Sequence, residues 1–156
     1  MSGFEGFFVL KGPADLLEKL RHDVSRVRQN PVDAYAAFDF FVTAEHLLDW
    51  KYPDVGGKAN IRTRSNLRKT EPLLRVTSHL ANGAKHFKTI DARHTSVDDV
   101  HVHAGGFDSA AFDSAAFDAG GRLVVNLAGD DAKVLGSEIS VLELAEAVLA
   151  YWELNL

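Results

Sequence analysis

The sequence predicts an α+β protein, a helical bundle of about four helices with a small antiparallel β insertion before the C-terminal helix. Apolar residues recur at helical spacing through residues 1–87, and the spacing then changes to the alternation typical of strands. Helical spacing returns after a capping signature near the end of the chain. We therefore expect a single domain over 1–156, with a mostly helical part at 1–87, a β-rich insertion at 88–139 and a C-terminal helix at 140–156.

The first predicted helix starts near Pro13, a residue that suits the first turn of a helix. Asn30-Pro31 ends it. Its apolar residues follow at helical spacing and are Leu16, Leu17, Leu20, Val24 and Val27. The segment before it reads FEGFFVL and is short and aromatic, so it fits either a strand or an anchored arm.

The second predicted helix runs from a cap at Asp33 to about Trp50. It is apolar around much of its circumference, which is typical of a helix at the centre of a bundle. Its large apolar residues are Tyr35, Phe38, Phe40, Phe41, Val42, Leu47, Leu48 and Trp50. Pro53 and the glycines after it predict a loop, and the basic IRTRSNLRK that follows is only weakly periodic.

A third helix is predicted over TEPLLRVTSHLANGAKHF, with Thr70 as its cap and Pro72 in its first turn. Strand-like alternation appears in VHVHAG and in RLVVNLAG, and the GDDAK after the second predicts a hairpin turn. The last helix has the clearest start, because Ser140 and Glu143 match a capping box. Its expected core residues are Val141, Leu144, Ala145, Val148, Leu149 and Trp152.

An internal repeat lies between the two predicted strands and reads GFDSA, AFDSA, AFDAG, so that Phe107, Phe112 and Phe117 recur every five residues. The spacing resembles one coil of a pentapeptide-repeat solenoid. Three units are too few to stand alone, because such repeats need stacked neighbours. We favour a β-rich flap that packs the three phenylalanines against the helices.

Composition narrows the class of protein. There is no cysteine, which excludes disulfides and thiolate metal sites and fits a cytoplasmic location. The first residues lack a basic region and a long apolar run, so we expect no signal peptide. The most apolar window contains Asp39, Glu45, His46 and Asp49, which argues against a membrane span.

Charge is unevenly distributed along the chain. Residues 1–90 carry 14 Lys and Arg against 10 Asp and Glu, whereas residues 91–156 carry 3 against 12. The basic part could meet an acidic partner such as RNA, or the acidic part of the same chain, and we favour the second interpretation.

A run of six cations falls within residues 58–75: Lys58, Arg62, Arg64, Arg68, Lys69 and Arg75. Of these, Arg62, Arg64, Arg68 and Lys69 are the candidate nucleic-acid-binding residues, because such a run could follow a phosphate backbone. Trp50 and Tyr52 lie nearby in the sequence and could stack a base. The alternative is a solvated helix face, or a surface paired internally with Asp98, Asp99, Asp130 and Asp131, which the pI of 5.8 favours.

Histidines provide a second candidate constellation. His79 and His86 would share a helical face, His46 has Asp49 three residues later, and His101 and His103 would share one face of a strand. Three imidazoles and a carboxylate would suit Zn²⁺ or Fe²⁺. There is no HExxH or similar spacing, so we assign no metal ligands and no cofactor.

Three blocks of the sequence, FDFFVTAEHLLDW, LANGAKHF and VLAYWE, resemble in their order a group of uncharacterised bacterial proteins, which implies no activity. The chain also resembles, more distantly, HEPN domains, which are small helical bundles that include metal-independent RNases of toxin–antitoxin and phage-defence systems. Their signature is an arginine, a polar residue, three variable residues and a histidine. In ANGAKH, Asn82 and His86 match the polar residue and the histidine, and Ala81 replaces the arginine.

This resemblance implies a binding or regulatory module in a bacterial defence or toxin–antitoxin setting, with RNA or a protein as partner. It also implies a homodimer, because HEPN sites often form across one. If the protein is an RNase, we expect His86 to be the base, Lys85 and Arg75 the phosphate cations and Asn82 the orienting group. A His-ligated metal protein is a further alternative. A purely structural interpretation is that Gly83 ends the helix as its C-cap.

Overall fold

The computed structural model describes residues 3–88, 91–103 and 121–156. Within these residues the protein is α+β, as predicted, with a three-stranded antiparallel sheet. Instead of about four helices it has five of 14 to 18 residues and one of seven residues. The first four helices are α1 Pro13–Gln29, α2 Ala34–Lys51, α3 Gly57–Thr70 and α4 Pro72–His86. The second part contains β1 Val97–His103, β2 Arg122–Leu127, α5 Gly129–Leu135, β3 Glu138–Ser140 and α6 Val141–Asn155. The repeat that contains Phe107, Phe112 and Phe117 lies outside the described residues.

The hydrophobic core is centred on α2, which packs against α1, α4 and α6. All five predicted apolar residues of α1 are buried. The predicted cap of α2 is confirmed, because the Asp33 carboxylate accepts hydrogen bonds from the backbone N–H groups of Tyr35 and Ala36 at 2.9 and 3.2 Å. Phe40 and Leu47 of α2 are fully buried. Tyr35 and Phe38, which were expected in the apolar circumference, are exposed.

The predicted loop after Pro53 is largely wrong. A single 3₁₀ turn, Asp54–Gly56, leads directly into α3, and Gly57 at the start of this helix has a φ of 69°. The described α3 has no buried residue, and Leu67 only partly packs against the core. A helix without an apolar stripe carries no periodic signal, which is why the basic segment did not predict it.

The ends of α4 differ from the prediction. Thr70 belongs to α3, and Glu71 is the residue that precedes α4, with Pro72 in the first turn as expected. Gly83 does not end the helix. The helix continues to His86, and the backbone N–H of Phe87, which has a φ of 59°, donates to the carbonyl of Gly83 at 3.0 Å.

The sheet has the strand order β1-β2-β3, with both pairs antiparallel. Val124 and Val125 of the central strand are buried. The predicted hairpin turn at GDDAK is wrong, because these residues form most of α5, which connects β2 to β3. The predicted capping box is confirmed, since Ser140 and Glu143 each bond the other's backbone N–H. No helix in the described part of the chain is long and apolar enough to cross a membrane.

Candidate functional site

A groove with a volume of about 930 Å³ lies between α2, α3 and α4, and we call it the α2–α3–α4 groove. Arg93 and His94, which follow α4, also contribute to its lining. Six cations line it: Arg64, Arg68, Lys69, Arg75, Lys85 and Arg93. The only acidic residues among the described lining are Glu45 and Asp49. Cations therefore outnumber acids in the lining, although Asp54, Asp131 and Asp91 pair with three of its arginines and the whole chain has a net charge of −5.

Three of the four predicted catalytic residues meet at the groove. Arg75, Asn82 and Lys85 all line the groove from α4. They are seven and three residues apart, which places them along one side of the helix. His86 is exposed at the end of α4 and is not among the residues that line the groove. Ala81, which stands where the HEPN signature has its arginine, is a buried part of the groove wall.

Arg75 is held by Asp131 of α5. Its Nε donates to both carboxylate oxygens at 3.1 and 2.9 Å, and its Nη2 donates to Oδ1 at 2.6 Å. Its Nη1 donates to the carbonyl of Lys69. Asp131 is buried, which raises its pKa, but the hydrogen bonds and charge of Arg75 outweigh burial and leave the pKa below its ordinary value. Most donors of Arg75 are thus already used within the protein.

The predicted nucleic-acid-binding residues fall into two groups. Arg64 donates to the carbonyl of Tyr52 at 2.9 Å and to Asp54 at 2.5 Å, and Arg68 is paired with Glu45. Arg62 and Lys69 are exposed, and of these two only Lys69 lines the groove. Salt bridges within the protein therefore hold Arg64, Arg68 and Arg75. Of the four aspartates predicted as partners of the basic run, Asp131 is the one that forms such a salt bridge.

Glu45 lines the groove and was not predicted as a site residue. Arg68 donates to its Oε1 from Nε at 2.9 Å and from Nη2 at 2.5 Å, and the Ser78 hydroxyl donates to the same oxygen at 3.3 Å. Burial raises the pKa of Glu45, and the Arg68 charge only partly opposes this. Glu45 is one of several charged residues in a largely apolar helix, and the sequence does not single it out because its partners lie 23 and 33 residues away.

The histidines have mainly structural contacts. His79 Nδ1 accepts a hydrogen bond from the Val97 backbone N–H at 3.0 Å, and its ring centroid lies 5.3 Å from that of His94. His101 Nδ1 lies 3.3 Å from Asp99 Oδ2, and His46 lines the groove. Within residues 3–88, 91–103 and 121–156, no group of three or more His, Asp or Glu side chains is arranged to hold a metal ion.

Comparison with protein-family models, with curated proteins and with solved structures gives no match for this chain. The resemblances to HEPN domains and to uncharacterised bacterial proteins therefore stay predictions. The functional argument depends on the α2–α3–α4 groove itself.

Proposed function

We propose that this protein is an RNA-binding module, and that a short single-stranded segment binds in the α2–α3–α4 groove. One observation carries the proposal, namely that six cations and two carboxylates line a groove in a protein whose net charge is −5. A positive groove on an otherwise acidic protein attracts a polyanion to one place on the surface.

Lys69 on α3 and Lys85 on α4 provide the phosphate contacts in this proposal. Both side chains are exposed, and they line the groove from different helices. The four arginines of the lining are each held by a carboxylate, so Lys69 and Lys85 supply most of the uncompensated positive charge. Lysine binds phosphate as a point charge, so these contacts give affinity without sequence preference.

The shape and lining of the groove fit a single strand. Its volume of about 930 Å³ matches that of a site for a small ligand rather than for a duplex. Phe38, which is half-exposed, and His46 both line it and offer ring faces on which bases can stack. Stacked bases with phosphates on flanking lysines are typical of single-strand recognition.

The HEPN resemblance favours a regulatory role for this RNA-binding module over a catalytic one, in a bacterial defence or toxin–antitoxin setting. Ala81 replaces the arginine of the signature, and Arg75 is bound to Asp131. A methyl group cannot stabilise the charge that develops on a phosphate during cleavage.

The test is fluorescence anisotropy with a labelled single-stranded RNA of 12 nucleotides. The double variant Lys69→Gln/Lys85→Gln is expected to bind about tenfold more weakly, and the slope of log K against log salt should fall by roughly 0.7 for each phosphate that a lysine no longer neutralises. The matched control is Lys11→Gln/Lys133→Gln, which removes two exposed lysines outside the groove. Equal weakening in both variants, or no binding by the wild type, contradicts the proposal.

A second candidate is metal-independent RNA cleavage with His86 as the base. Its support is that Asn82 and Lys85 line the groove, and that His86 follows Lys85 and is open to water. An imidazole can accept a 2′-OH proton near neutral pH. RNA degradation by wild type and by His86→Ala tests it, and equal background activity in both removes this candidate.

A further inference from the structure

The hydrogen bonds of Glu45 are distributed unequally between its two carboxylate oxygens. All three donors, two from Arg68 and one from Ser78, reach Oε1. Among the described residues, no N–H or O–H group donates to Oε2. The carboxylate lines the α2–α3–α4 groove, and its side chain is 19% exposed. Oε2 is therefore the oxygen that remains available to a donor on a bound ligand.

We propose that Glu45 Oε2 accepts a hydrogen bond from the exocyclic amino group of a nucleobase, so that the groove prefers the bases that carry this group, cytosine, adenine and guanine, over uracil. This inference rests on the proposed binding of single-stranded RNA. It adds a base-reading contact to a site whose lysines recognise only phosphate.

The chemistry of the bases explains the preference. Cytosine, adenine and guanine each carry an amino group on the edge that pairs with other bases, and a carboxylate is a suitable acceptor for it. Uracil has a carbonyl at the equivalent position, and its only N–H on that edge lies between two carbonyl oxygens. A carboxylate that approaches this edge meets oxygen atoms of like partial charge, which disfavours uracil.

The surrounding residues fix Glu45 for this contact. Arg68 donates to Glu45 Oε1 through two nitrogen atoms, and its Nη2 also lies 3.5 Å from Asp49 Oδ1. Its guanidinium is therefore held by two carboxylates. Ser78, which is buried on α4, adds the third bond. An acceptor held by groups on two other helices is preorganised, and little ordering is needed when the base binds.

The experiment compares RNA 10-mers that differ in a single chemical group. Oligomers of adenosine and of purine riboside have similar ring faces, but purine riboside lacks the amino group. Wild-type protein is expected to bind the adenosine oligomer about tenfold more tightly, the usual effect of one hydrogen bond to a charged group. Cytidine and uridine oligomers should show the same order.

Two variants separate base reading from electrostatics. Glu45→Gln removes a negative charge from the groove, so its affinity for every oligomer should hold or rise, whereas the preference for adenosine over purine riboside should fall to less than about twofold. Glu18→Gln makes the same substitution at an exposed position outside the groove, so it should keep the preference.

Each outcome decides between the two proposals. Equal binding of adenosine and purine riboside by the wild type, or an unchanged preference in Glu45→Gln, overturns the base-reading inference and leaves RNA binding intact. Failure of the wild type to bind any oligomer overturns both. If Glu45→Gln does not fold, the wild-type comparison of adenosine with purine riboside still decides the inference.

Discussion

Glu45 and Asp131 are both carboxylates that face an arginine, yet their pKa values move in opposite directions. Burial dominates at Glu45 and raises the pKa, and the nearby Asp49 charge raises it further, whereas the Arg68 charge and hydrogen bonds oppose this only in part. At Asp131 burial also raises the pKa, but the hydrogen bonds and charge of Arg75, together with the Ser96 hydroxyl, outweigh it and lower the pKa. The balance between burial, which favours the neutral form, and the hydrogen bonds and charges of the neighbours thus decides which form of the carboxylate the fold favours.

Asp131→Asn is expected to lower the free energy of unfolding at pH 7 by about 3 kcal/mol, because it leaves the partly buried Arg75 guanidinium without its counter-charge. A lowered native pKa stabilises the fold above the ordinary value of 3.8 and loses that contribution as the pH falls through the native pKa. The difference between wild type and variant should therefore shrink as the pH falls below 3.8, as measured by urea unfolding.

The control for this prediction is Asp130→Asn. Asp130 is the adjacent residue, and it pairs with Lys133 where both side chains are mostly exposed. Its replacement should change the free energy of unfolding by less than about 0.5 kcal/mol. Similar losses in the two variants would contradict the special role of Asp131.

At the scale of elements, His79 joins α4 to the first residue of β1. Its Nδ1 accepts the Val97 N–H, which requires that this nitrogen be unprotonated. Burial lowers the pKa of His79, and the neighbouring His94 lowers it further. The fold therefore favours the neutral ring, and the link between helix and strand weakens when the ring becomes charged.

Acidification is expected to destabilise the protein through His79. The pKa of the native state is below the ordinary value of 6.5, so the unfolded chain binds the proton first and stability falls as the pH drops below 6.5. His79→Asn keeps a nearby acceptor and does not titrate, so its thermal midpoint should fall less between pH 7 and pH 5. His22→Asn, at an exposed position on α1, should behave like the wild type.

Local signals explain which elements could be predicted. The helix caps at Asp33 and at Ser140 with Glu143 could be predicted, because each capping side chain bonds a backbone N–H group within three residues of it in the sequence. The helices α3 and α5 were missed because neither buries an apolar stripe, and the buried residue of α5 is Asp131. Glu45 was missed as a site residue because Arg68 and Ser78 reach it only through tertiary packing.

At the scale of the whole molecule, the basic and acidic parts of the chain partly neutralise each other. Arg21 donates to Glu153 at 2.9 Å and Arg28 to Glu146 at 3.0 Å, which connects α1 to α6, and Arg75 pairs with Asp131. This agrees with the interpretation that the basic part meets the acidic part of the same chain. The groove keeps its excess of cations because two exposed lysines add to the paired arginines.

The surface pairs between α1 and α6 are expected to add little stability. Glu146→Gln together with Glu153→Gln should lower the free energy of unfolding by less than about 1 kcal/mol, because all four side chains are roughly half-exposed. Urea unfolding at low and high salt measures this, and high salt should reduce the difference further. A loss above about 2 kcal/mol in both salt conditions would contradict the prediction.

Ser140 ends β3 and also caps α6, and no residue separates the two elements. Any opening that pulls β3 away from β2 also removes the group that bonds the first free N–H groups of the helix. In amide hydrogen exchange, the N–H groups of the β2–β3 pair and of the first turn of α6 should therefore exchange together, as one cooperative unit. The sheet and the C-terminal helix would then form or unfold in a single step.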